Sequence, residues 1–147
     1  SRTSVRDWLL QGYFGREVNV VDSGGTYMRA APNGPQPLSL WSNRWSTMPI
    51  HELPNLRLPR PDGTAYLDTM PGSTVPVIRQ PLTMDHRGHP FLGLWRGASD
   101  HHLFHASDLG QELDLAGSAD EQHYAELLRH ALHEVEAPSE HLERLAL

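Results

Sequence analysis

Cysteine is missing from all 147 residues. Its absence excludes disulfides, thiolate nucleophiles and cysteine metal sites, and leaves folding to the apolar core. Lysine is missing as well, so all twelve basic side chains are arginine. Two readings fit that absence. One is a GC-rich bacterial genome that favours arginine codons. The other is a domain secreted into a host cell as an effector or toxin, where a lysine-free surface denies ubiquitin its attachment point. Apolar runs of membrane-spanning length are absent, and no leader of the secretory type opens the sequence. Cations are scarce: twelve arginines face eighteen acids, a net charge of −6 with neutral histidines. The arginines are scattered rather than clustered, which argues against a phosphate-tracking nucleic-acid surface.

What is present points to a modest core with long connections. Apolar residues make up 38% of the chain, against twelve prolines and twelve glycines. A chain of this length buries roughly two thirds of its unfolded surface without staples. The expectation is a single domain over 1–147, and the start at Ser1 suggests a piece of a longer protein.

The clearest local signal lies near the start. Glu17 to Asp22 and Thr26 to Ala30 alternate apolar and polar residues around Ser23-Gly24-Gly25, which predicts a β-hairpin. The Gly-Gly pair also suggests an anion site, a weak one without a helix N-terminus behind it. Ahead of the hairpin, Val5, Trp8 and Leu9 at i, i+3, i+4 predict a short helix over Thr3 to Leu10, stopped by Gly12. Further on, Pro49, Pro54, Pro59 and Pro61 predict an extended arm on the surface. Thr64 to Asp68 and Thr74 to Arg79 read as strands, the second placed at an edge or bulge by Pro76. Pro90 to Arg96, apolar on both faces, reads as a central strand, and His101 to His105 as a short one.

The last third reads most simply. Ser118 with Glu121 forms a capping box, and Tyr124, Leu127, Leu128, Ala131, Leu132 and Val135 make one apolar stripe, which predicts a helix over Ser118 to Glu136. Pro138 ends it, and Ser139 caps a final short helix. The expected fold class is therefore α+β: a mainly antiparallel sheet of about five strands, packed by the long C-terminal helix and the short N-terminal one.

Two stretches carry candidate chemistry. Met84 to His105 holds five of the ten histidines. His86 and His89 have His-x-x-His spacing, and with His105 they form a candidate zinc set of a metal-dependent hydrolase, with Asp85 or Asp100 orienting a ligand. A pH-responsive surface needs no metal, because histidines charge between about pH 5 and 7. Leu38 to Trp45 places Trp41 and Trp45 four residues apart around Arg44, a candidate platform for a peptide or sugar. No nucleophile-elbow motif or His-Glu-x-x-His motif is present. The expectation is a non-catalytic protein-binding module of a larger bacterial protein, with Trp41, Arg44 and Trp45 as its binding residues and another protein as its partner. The zinc hydrolase stands as the alternative.

Overall fold

The computed structural model describes residues 6–12, 17–32, 34, 36–43, 66–81 and 100–147. Over these the chain is α+β and antiparallel. Seven strands and two helices follow in the order β1 (Trp8–Gly12), β2 (Val18–Asp22), β3 (Gly25–Arg29), β4 (Ser39–Ser42), β5 (Tyr66–Thr69), β6 (Pro76–Pro81), β7 (His102–His105), α1 (Ala119–Glu134) and α2 (Glu140–Leu145). Instead of one sheet of about five strands there are two. A four-stranded sheet has the order β1-β2-β3-β7, and a three-stranded sheet the order β4-β6-β5.

Register explains the core of the larger sheet. Leu10 lies opposite Val20, Val20 opposite Tyr27, and Tyr27 opposite Leu103. Side chains alternate faces along a strand, so this row points to one side of the sheet. Val20, Tyr27 and Leu103 are buried there with Tyr124, Leu128, Leu132 and Leu145, and Leu10 and Trp8 pack at the margin. Helix α1 lies across this face, against β1, β2 and β3. Its stripe is the expected one as far as Leu132, but Val135 is the C-cap and is exposed.

Two expectations need correction. The N-terminal helix is not formed over Trp8 to Leu10, which belong to β1. Two turns of helix are marginal alone, whereas pairing with β2 satisfies the backbone and turns Trp8 and Leu10 together onto the core. Leu9, read as part of a helical face, points away and is exposed. Pro76 does not push its strand to an edge: β6 is central. Its prolines sit at the two ends of the strand, as Pro76 and Pro81, and leave Ile78 and Arg79 between them to pair on both sides. The strand expected over Pro90 to Arg96 and the proline arm from Pro49 to Pro61 lie outside the described residues.

The hairpin turn settles the Gly-Gly question. Asp22 Oδ1 accepts hydrogen bonds from the Gly24 and Gly25 amides at 2.8 and 2.9 Å and from the Tyr124 hydroxyl at 3.0 Å. The anion these amides hold is the chain's own carboxylate. Burial raises the Asp22 carboxyl, but the two amides and the hydroxyl outweigh it and leave it below its ordinary value. Gly25 has no alternative here, since a Cβ would meet the Phe104 carbonyl oxygen at 2.5 Å.

Candidate functional site

Two polar clusters anchor the fold, one on each sheet. On the larger sheet, Tyr27 and Arg29 share the inward face of β3, and His101 precedes β7. The Tyr27 hydroxyl donates to Glu121 Oε1 at 2.8 Å, and Arg29 Nη1 donates to the Tyr27 oxygen at 2.9 Å. His101 Nδ1 lies 3.0 Å from Glu121 Oε1 and 3.1 Å from Arg29 Nη1. A proton on Nδ1 satisfies the carboxylate, while Arg29 Nη1 has the tyrosine oxygen as acceptor. Arg29 also donates from Nε to the Leu145 carbonyl and from Nη2 to the Ala146 carbonyl, each at 2.8 Å. It thereby caps the C-terminus of α2 with a cation.

Glu121 joins this cluster to the start of α1. Its other oxygen accepts from the Gly117 amide, one residue before the N-cap Ser118, and Ser118 Oγ accepts from the Asp120 amide. The capping box is therefore displaced by one residue, and Glu121 caps the helix and receives Tyr27 together. Burial raises the Glu121 carboxyl; the Gly117 amide, His101 and Tyr27 more than reverse this. Burial, with Glu121 beside it, pushes the Tyr27 hydroxyl up to about 12. An imidazole oriented by a carboxylate resembles a general base; here its Nδ1, the carboxylate, the tyrosine and the arginine all bond within the fold. The cluster is a clasp between β3, α1 and α2.

On the smaller sheet, register again makes the arrangement. Trp41 on β4 and Tyr66 on β5 both lie opposite Arg79 on β6, so the three form one row on one face. The Arg79 guanidinium sits 4.9 Å from the Trp41 ring centroid and 5.9 Å from that of Tyr66. It donates to Ser39 Oγ at 3.0 Å, to Asp68 Oδ2 at 2.9 Å and to Glu140 Oε2 at 2.8 Å. Glu140, at the start of α2, also accepts from the Ser39 amide and hydroxyl at 2.8 and 2.9 Å. Ser39 and Trp41 share a face of β4, as Tyr66 and Asp68 do on β5, so every partner of Arg79 comes from one side of the sheet. A cleft of about 390 Å³ lies beside this cluster, lined by Pro37, Leu38, Ser39, Arg79, Pro81 and Glu140.

Of the sequence-expected binding set, Trp41 is half-buried on β4 and stacked by Arg79. Arg44 and Trp45 lie outside the described residues. In the zinc set, His86 and His89 also lie outside them, and His105 is exposed at the end of β7. Among the described residues no three of His, Asp and Glu converge on a possible metal position. Arg79, Tyr66, Asp68 and Glu140 were missed from sequence. Alternation along β6 shows that Arg79 faces away from buried Ile78 and Gln80. Nothing local pairs it with a glutamate 61 residues away.

Compared with protein-family models, with curated proteins and with solved structures, the chain matches none of them. Among the described residues no helix is long and apolar enough to cross a membrane.

Proposed function

We propose that this chain is a non-catalytic protein-binding module of a larger bacterial protein, and that the three-stranded sheet is its contact surface. The observation that carries the reading is the state of the β5–β6 hairpin. Leu67 is 73% exposed and Val75 63%, with Tyr66 and Met70 also open to solvent. Among the described residues β5 pairs only with β6, so one edge of it offers backbone groups to a further strand. Exposed apolar side chains on such an edge suit an extended segment of another protein, which gains main-chain hydrogen bonds for affinity and side-chain contacts for specificity. The Trp41–Arg79–Tyr66 row fixes this hairpin in place, so little ordering is left to the binding step. The lysine-free composition accords with delivery into a host cell, which is part of the proposal.

The test pairs two variants. Leu67→Asp alters an exposed side chain, and its stability should stay within about 0.5 kcal/mol of the parent. It should abolish capture of a partner that the parent chain retains from its native lysate, and calorimetry with that purified partner should confirm the loss. Trp41→Ala should keep the larger sheet folded and weaken the same binding. Retained binding by Leu67→Asp, or global unfolding by Trp41→Ala, would overturn the assignment. Stoichiometric zinc in protein purified without a histidine tag would replace it with the hydrolytic alternative.

A further inference from the structure

A second surface follows β7, an edge strand of the four-stranded sheet among the described residues. The segment from Ala106 to Gly117 joins β7 to α1 and carries the most exposed large apolar side chain of the described residues, Leu109 at 94%, together with Leu113 at 65%. Exposed leucines on a loop ordinarily fold back or move, yet this loop is pinned along its length. Asp108 accepts from the Glu112 and Leu113 amides at 3.2 and 2.9 Å. Asp114 accepts from the Leu103 and Ala116 amides at 3.0 and 2.9 Å and holds His102 Nδ1 at 2.7 Å. The Leu115 amide donates to the Leu103 carbonyl at 2.8 Å, and the Ala106 amide to Gly24 at 2.8 Å. Both leucines are thus displayed on a fixed scaffold, which removes the ordering cost that weakens most loop contacts.

The fixed charges along this stretch of sequence have one sign, its histidines apart. No arginine occurs between Arg96 and Arg129, while Asp108, Glu112, Asp114 and Asp120 all lie in this stretch. At the base of the loop, a cleft of about 200 Å³ is lined by Leu115, Phe104, Leu103, His105, His123 and Asp120. Asp120 is the one carboxylate on its walls. The volume suits a single side chain; Leu103, Phe104 and Leu115 suit the stem of an arginine or lysine, and Asp120, beside neutral His105 and His123, suits its head.

We infer that this loop is a docking knob for a second protein, one that presents an apolar groove with a cationic rim. The groove takes Leu109 and Leu113, and one basic side chain from the rim enters the cleft beside Asp120. The surface is independent of the β5 edge and goes beyond the function proposed above.

The experiment replaces Leu109 with photo-reactive benzoylphenylalanine in the full chain and irradiates its native cells. The cross-linked protein is identified, purified and titrated calorimetrically against variants. Leu109→Ser with Leu113→Ser should leave the melting temperature unchanged and raise Kd at least about tenfold, as loss of anchor side chains does. Asp120→Asn should raise Kd several-fold, and added salt should weaken the complex through its on-rate. Leu67→Asp should leave this Kd unchanged, which separates the two surfaces. The inference falls if no adduct forms, if the adduct is with a second copy of this chain, or if the double serine variant binds the identified partner as tightly as the parent.

Discussion

The two sheets are held in different proportions. The four-stranded sheet buries Val20, Tyr27 and Leu103 under α1, with Leu10 at the margin, so apolar area removed from water carries most of its stability and the Tyr27–Glu121 clasp adds to it. The three-stranded sheet has Ile78 as its buried aliphatic residue on β6, and it is tied to α2 by one arginine and one glutamate. Apolar burial is non-directional and tolerates small shifts, whereas an arginine fork needs its acceptors in place. The first sheet should therefore lose stability smoothly on truncation, and the second should come apart when a single partner is removed.

The sharpest way to break this contrast is to cut each sheet at its own anchor. Glu140→Ala leaves Arg79 and Ser39 without their shared acceptor and Arg144, 2% exposed, with Glu17 as its remaining acidic neighbour. Removing one member of a buried charge cluster costs about 3–5 kcal/mol. Hydrogen exchange should show protection lost first in β4, β5 and β6 while β2 and β3 keep theirs. Leu128→Ala, a fully buried truncation, should cost about 2–5 kcal/mol and lower protection in the larger sheet and α1 together. Equal loss across both sheets in both variants would show that they form one cooperative unit. Next in size, Tyr27→Phe removes a donor to Glu121 and an acceptor for Arg29, at a cost of about 1.5–3 kcal/mol by chemical denaturation.

A pH effect comes next. Burial and nearby Arg144 hold His141 below the ordinary histidine value. The unfolded chain then binds the proton more readily, so stability is full above about pH 7 and falls as pH drops through 6.5 toward the depressed folded value. His141→Gln keeps an acceptor for Arg144 and should flatten this slope, which is at most about 1.4 kcal/mol per pH unit. The smallest change is expected of Trp41→Phe. The Trp41 Nε1 donor is buried without a partner among the described residues, so losing it removes a cost, and the phenyl ring still lies under Arg79. Melting should shift by no more than a few degrees.

How much of this was written in the sequence depends on the range of the forces involved. The hairpin, helix α1 and its stripe were legible because turn chemistry and the 3.6-residue period act over a few positions. The short strand β1 was misread because Val5, Trp8 and Leu9 fit a helical period, while the competing alternation of Trp8 and Leu10 acquires meaning only beside β2. Pro76 escapes the edge rule because it is the first residue of β6, a place that composition alone does not fix. The capping residue Glu121 was found, but its bond to Tyr27 spans 94 residues and could not be. Arg79 has no composition signal at all; its site exists only once β4 and β5 flank it.

Helix α2 follows every described strand in the chain, yet both sheets depend on it. Ser39 waits for Glu140 across 101 residues, and Arg29 for the Leu145 carbonyl across 116. On the ribosome neither clasp can be completed until α2 emerges, so long-range closure should slow the final step. The β2–β3 hairpin can pair early, but the bonds to Glu140, Leu145 and Ala146 should close only after synthesis has passed Ala146.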